Sequence, residues 1–195
     1  MCGIAGIFNQ DQKSKVTDAD IFNMIDQIVH RGPDEGSTHI QGNIGLGFRR
    51  LSIIDISNGS QPMKDHNTGN YIIFNGEIYN YLELKNELLS LGYSFKTKSD
   101  TEVLLKMYLH YGEKCLKKLN GMFAFAIWNP SKNNLFLARD RIGKKPLYYY
   151  HKENIFYFAS ELKCFKKIDK IQKKIFLTAL DSYLSYDGIE SPMTI

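Results

Sequence analysis

The chain has 195 residues, 43% hydrophobic and 24% charged, with a net charge of +4. That is enough apolar material for the core of one domain with a short tail, and too ordinary a mixture for a disordered or collagen-like chain. The charge is too mild to point to nucleic acid, no apolar run reaches the length of a membrane span, and no signal-peptide pattern opens the chain.

Three cysteines, Cys2, Cys115 and Cys164, lie far apart without the spacing of a zinc site. They predict reduced thiols in a cytoplasmic protein. The five histidines, His30, His39, His66, His110 and His151, are scattered, so no metal site is expected.

Residues 2–8 (CGIAGIF) predict a strand rich in small residues, where backbone or ligand can approach closely. Thr17-Asp18-Ala19-Asp20 reads as a helix start, and Ile21, Met24, Ile25 and Ile28 recur on one face behind it. The helix stops before Arg31-Gly32-Pro33-Asp34, read as an architectural turn. Strands follow at 37–41 and 44–51, joined at Gly42-Asn43, then a long loop over 57–69. Tyr71-Ile72-Ile73-Phe74 predicts a buried strand that stops at Asn75-Gly76-Glu77.

A helix over 79–91 is expected to bury Tyr81, Leu84, Leu88 and Leu91 and to end at Gly92. Ser99 and Glu102 form a capping-box pattern at the head of the next helix, and a short helix is expected near 113–119. Aromatic-rich runs at 122–128, 135–139, 146–150 and 155–159 predict an antiparallel meander. A last helix covers 176–186. The pattern is α+β, with two sheets packed face to face and covered by helices.

Polar groups at the strand ends suggest chemistry. Removal of Met1 would give Cys2 a thiol and a free α-amine on one residue, a self-contained nucleophile and base. An Asn side chain and a neighbouring Gly N–H can together stabilise an oxyanion. An Arg can fork onto a carboxylate, and acidic groups can hold an ammonium. Arg50, Asn75-Gly76, Glu77 and Asp100 are the candidates, and together they suit amide hydrolysis of a free amino acid. Arg49 is read as a supporting charge. Arg139, Asp140 and Arg141 stay open between an ion-pair network and a contact face. The lysines at 163, 166, 167, 170, 173 and 174 are read as a solvated face.

These residues lie within a longer series of strings: MCGIAGIF, HRGPD, RLSIID, NGEIYNY, SDTEVLL, GMFAFAIW, ARDRIGKKPLYY and FASELK. In order and spacing the series resembles the N-terminal glutaminase domain of glutamine-hydrolysing asparagine synthetases. Those are class II glutamine amidotransferases of the N-terminal nucleophile hydrolase fold. The resemblance runs essentially end to end, with one local departure: Phe48-Arg49-Arg50-Leu51 stands where the family often has H-x-R-L.

The resemblance implies a four-layer αββα sandwich of two antiparallel sheets, with residues 1–187 as the amidotransferase domain and 188–195 as the start of a linker. It implies that Cys2 attacks the side-chain amide of L-glutamine, with Asn75 and Gly76 as oxyanion hole. Arg50 and the backbone of Leu51, Ser52, Ile53 and Ile54 would bind the substrate carboxylate, and Glu77 and Asp100 its ammonium.

No cofactor is implied for this half-reaction. ATP and Mg belong to an ATP-pyrophosphatase synthetase domain that has no counterpart in this sequence, so a fragment or stand-alone subunit is expected. That domain or subunit is the implied partner, and a homodimer is an open expectation. Two rivals remain: a non-hydrolytic binding or regulatory remnant, and a glutaminase feeding another acceptor.

Overall fold

The computed structural model describes residues 1–51, 59–171, 173–190 and 193. The chain divides into two units, 1–165 and 166–195. The first unit carries two antiparallel sheets.

One sheet has the order β2-β3-β1-β9-β8 and the other β4-β5-β6-β7. In the first, β1 is Gly3–Asn9, β2 Glu35–Gln41, β3 Ile44–Arg50, β8 Tyr148–Lys152 and β9 Ile155–Ala159. In the second, β4 is Met63–Lys64, β5 Tyr71–Ile78, β6 Gly121–Asn129 and β7 Asn134–Arg139. The two-residue β4 lies inside the stretch expected to be loop. β1 is central, pairing with β3 from Gly3↔Arg49 to Phe8↔Ile44 and with β9 through Ala5↔Ala159.

Strand alternation builds three apolar layers. Ile4, Phe8, Ile44, Leu46 and Phe48 of the first sheet meet Ile73, Ala124, Ala126 and Trp128 of the second. The other face of the second sheet presents Ile72, Phe74, Phe123, Phe125 and Ile127 to two helices. These are α2 (Tyr81–Ser90), through Leu84 and Leu88, and α3 (Asp100–Tyr111), through Val103, Leu104 and Met107. Each of these Ile, Leu, Val, Phe and Met side chains removed from water contributes about 1.5–3 kcal/mol before the entropy of ordering it.

Outside the first sheet lies α1 (Asp18–Asp26), started by a complete Thr17–Asp20 capping box. Its buried Ile21, Met24 and Ile25 need a close approach. β3 supplies it by placing Gly45 and Gly47 on that face. A Cβ on Gly45 would stand 2.5 Å from Ile21 Cγ1, and one on Gly47 2.5 Å from Ile25 Cγ2. The layers therefore run helix, sheet, sheet, helices, as expected.

Four local expectations are corrected. The aromatic runs are not one meander: β6–β7 is a hairpin in the second sheet and β8–β9 a hairpin in the first. β5 does not stop at Asn75 but keeps pairing through Gly76 and Glu77 to Ile78↔Gly121. Leu91 is not buried, because α2 ends before it and leaves it 47% exposed. Ser99 accepts from Glu102 N, but the Glu102 carboxylate turns to the N–H groups of Lys96 and Thr97, so the box is half made.

The second unit contains α4 (Leu177–Tyr186), close to the expected helix, which ends at Asp187 in the left-handed region (φ 53°). Lys166, Lys167, Lys170, Lys173 and Lys174 are exposed. Among the described residues, no helix is long and apolar enough to cross a membrane.

Candidate active site

Cys2 sits immediately before β1, half-buried at the end of the inter-sheet core. Its Sγ accepts from Leu51 N at 3.4 Å and donates to Leu51 O at 3.6 Å. Its carbonyl oxygen accepts from Arg31 Nε at 2.9 Å. Arg31 is in turn held by Glu161 at 3.1 Å, and the same carboxylate meets His30 and Lys163. Burial opposes ionisation of Glu161, but hydrogen bonds from Arg31, His30 and Lys163 outweigh it and hold its carboxyl below the usual range.

The H-R-G-P-D turn is thus architectural and reaches the nucleophile through its arginine. Gly32 belongs to the same brace, since a Cβ there would lie 2.3 Å from the Arg49 carbonyl carbon. At Ile4, Ser160 fixes the strand twice: its Oγ accepts from Ile4 N at 3.0 Å, and its N–H donates to Ile4 O at 2.8 Å.

A cavity opens beside the thiol. Cys2, Arg50, Leu51, Gly76, Glu77 and Asp100 all line it. Cys2 and residues of β3, β5 and α3, distant in sequence, therefore converge on one cavity. Arg50, 6% exposed, lies across the sheet from Glu35 and contacts its carboxylate at 3.4 Å.

Asn75 follows the Ile73 parity of β5 and so faces the first sheet. It is 1% exposed, and its Nδ2 is buried with no hydrogen-bond partner among the described residues. Gly76 admits no side chain: a Cβ would stand 2.2 Å from Met122 O and 2.7 Å from Phe123 Cα. Ser52, Ile53 and Ile54 lie outside the described residues.

Asp100 is the first residue of α3 and is 5% exposed. Burial, with help from the neighbouring Glu77 charge, pushes its carboxyl up from 3.8 to about 6, although Ile78 N donates to it at 3.0 Å. A desolvated carboxyl facing a cavity is a common mark of a functional site.

Two buried residues, Gln61 in the cavity wall and Lys145 against Met1, were missed from sequence. Gln61 lines the cavity and behaves as a strand extension, its Oε1 accepting from Phe74 N at 2.6 Å and its Nε2 donating to Phe74 O at 3.3 Å. Lys145 is 5% exposed, with Nζ 3.0 Å from Met1 Sδ. Its signal was the G-K-K run, but nothing local separates buried Lys145 from exposed Lys144.

The charged residues left open have structural partners. Arg49 binds Ile25 O at 3.2 Å and Asp26 at 3.6 Å, supplying a cation to the C-terminal end of α1. Arg139 binds the carbonyls of Lys145 and Gly143, and Arg141 those of Leu119 and Leu116. Asp140 accepts from Phe123, Lys144 and Lys145 N–H groups, which overcome burial and hold its carboxyl low. The trio shapes a loop through backbone contacts instead of pairing with itself.

A family profile described as "Glutamine amidotransferase domain" matches residues 1–195. The chain belongs to that family. Asparagine synthetase [glutamine-hydrolyzing] 1 of Bacillus subtilis is 47% identical over 197 residues, covering 100% of this chain and 31% of that protein. Asparagine synthetase [glutamine-hydrolyzing] 3 of the same organism is 37% identical over 196 residues, covering 100% of this chain and 32% of that protein. The chain thus spans about a third of the length of these relatives.

Among solved structures, the glutamine phosphoribosylpyrophosphate amidotransferase of B. subtilis, complexed with ADP and GMP, aligns with a TM-score of 0.68 at 22% identity. The alignment covers 85% of this chain and 43% of that one. That likeness bears on the amidotransferase fold alone, and the two-sheet architecture agrees with it.

Proposed function

We propose that this amidotransferase domain is the glutaminase part of a glutamine-hydrolysing asparagine synthetase. The observation that carries the reading is the convergence of the Cys2 thiol, Arg50, Glu77 and Asp100 on one cavity.

With Met1 removed, the Cys2 α-amine takes the thiol proton as Sγ attacks the side-chain carbonyl carbon of L-glutamine. The C–S bond forms, and negative charge moves onto the carbonyl oxygen. Asn75 Nδ2 and the Gly76 N–H donate to that oxygen. The buried Asn75 Nδ2, without a partner among the described residues, supports this role, because an unsatisfied donor costs about 1–3 kcal/mol unless something accepts from it. Collapse breaks the C–N bond. The amine returns its proton to the departing nitrogen, and ammonia leaves a glutamyl thioester. Water then attacks the thioester, releasing glutamate and restoring the thiol.

Arg50 pairs with the substrate carboxylate beside the backbone of Leu51, Ser52, Ile53 and Ile54, and Glu77 and Asp100 take its ammonium. These steps use no metal or organic cofactor. The ammonia passes to an ATP-dependent synthetase domain that amidates aspartate, with residues 1–187 as the amidotransferase part and 188–195 leading toward that domain. The three unpaired cysteines suit a reducing cytoplasm.

The test is release of ammonia and glutamate from L-glutamine by Met1-free protein, beside Cys2→Ala. Turnover by the parent and none by the variant is the expected result. No turnover by Met1-free parent, alone or with a synthetase partner, would favour a binding module. Turnover with ammonia delivered to an acceptor other than aspartate would keep the glutaminase and replace the synthetase assignment.

A further inference from the structure

Lys145 is a buried cation with an unusual shortage of partners. Among the described residues, no carboxylate makes ion-pair contact with it. Its Nζ lies 3.0 Å from the thioether Sδ of Met1, and only five bonds separate that sulfur from Cys2 N. The backbone is locked on both sides of the residue. Its N–H donates to Asp140 at 2.9 Å, and its carbonyl accepts from Arg139 at 2.8 Å. The loop backbone is therefore fixed around Lys145, and the ammonium lies against the residue that adjoins the Cys2 N-terminus.

We propose that Lys145 is a positioning residue for proton transfer, its ammonium keeping the α-amine of Met1-free Cys2 in the neutral, proton-accepting form. The inference rests on the reading of that amine as the base. A like charge nearby disfavours an ammonium. The α-amine, normally near 8, gives up its proton well before a lysine, normally near 10.4.

The other charged groups around the N-terminus do not replace Lys145. Arg31 is nearby but already paired with Glu161. Arg50 contacts Glu35. Of the carboxylates that act on Lys145, Asp140 accepts three backbone N–H groups and Glu77 is assigned to the substrate ammonium. Asp100 is drawn toward its neutral form by burial. Burial, then the Arg31 charge, lower the Lys145 ammonium itself, with Cys2, Glu77 and Asp140 opposing. The effect on the amine is accordingly one of degree.

The test is a pH titration of Met1-free protein labelled with [13C]cysteine, following the Cys2 Cα signal for the amine and Cβ for the thiol. Parent, Lys145→Met and Lys145→Arg are compared, with the pH dependence of kcat/KM for glutamine measured on the same samples. Loss of the charge is expected to raise the amine titration by about one pH unit and to carry the acidic limb of kcat/KM upward with it. Lys145→Arg is expected to stay with the parent. Lys145→Gln carries the same expectation as Lys145→Met, and denaturation curves identify any variant that has not folded.

An amine that titrates alike in all folded forms overturns the proposal, and so does a Lys145→Arg shift as large as that of Lys145→Met. The titration does not need turnover. A Lys145-dependent amine in a protein without glutaminase activity would sink the glutaminase reading and leave the electrostatic role standing.

Discussion

The Asp100 carboxylate accepts the N–H of Ile78 at 3.0 Å, tying the first residue of α3 to the last residue of β5 at the rim of the thiol cavity. One side chain thus stitches sheet to helix and presents a carboxyl to the site. Its ionisation is raised from 3.8 to about 6, chiefly by burial. Between those values the native state holds a proton that the unfolded chain has released. Stability therefore falls as pH rises through that window, by up to about 3 kcal/mol.

Asp100→Asn can still accept from Ile78, and it removes the desolvated charge. Thermal melts near neutral pH should show the variant at least as stable as the parent, with a flatter profile between pH 3.8 and 6. Its KM for glutamine should rise by about tenfold or more, from loss of a charged hydrogen-bond partner. A variant that melts clearly lower near neutral pH would contradict the assignment of burial as the dominant cause.

Asn75→Ala separates catalysis from folding. Among the described residues the Nδ2 group has no partner to lose, so the denaturation midpoint should stay close to the parent's. If the amide stabilises the oxyanion, kcat should fall roughly 100-fold or more with little change in KM. Steady-state kinetics at saturating glutamine check this, and full activity in the variant would remove Asn75 from the oxyanion hole.

Ser160→Ala tests how the nucleophile strand is anchored. The variant leaves Ile4 N–H buried without the hydroxyl that accepts it at 3.0 Å. The expected loss is about 1–3 kcal/mol of stability, read as a lower urea midpoint. No change would mean that β1 is held by its neighbours alone.

Most of this architecture was legible because alternation is a local property. Ile72/Phe74 against Ile73, and Ile44/Leu46/Phe48 against Gly45/Gly47, assign faces without any knowledge of partners. Which sheet a strand joins is a long-range property, and there the aromatic runs misled. The lengths of the links carried the missing signal. Residues 130–133 and 153–154 make tight hairpins, the latter with both Glu153 and Asn154 at positive φ (50° and 65°), as a two-residue turn requires. Residues 140–147 are too many for a tight hairpin and instead cross between sheets, bent around Asp140.

The site divides along the same line. Cys2, Arg50, Glu77 and Asp100 were readable from strand and helix ends and from the ordered strings. Lys145 and Gln61 owe their places to burial created by the crossover and by β4. Asn75 and Gly76 were read as lying where β5 stops. Only the pairing with β6 shows that they are strand residues, with Gly76 pressed against Met122 and Phe123.

The central claim is that Cys2 forms a covalent intermediate with glutamine. The most direct measurement is rapid acid quenching of Met1-free protein mixed with L-glutamine, followed by intact and peptide mass. The expected result is a gain of one glutamyl group on the peptide that begins with Cys2, lost on treatment with hydroxylamine and absent in Cys2→Ala. Ammonia release without any adduct on Cys2, or an adduct on Cys115 or Cys164, would contradict it.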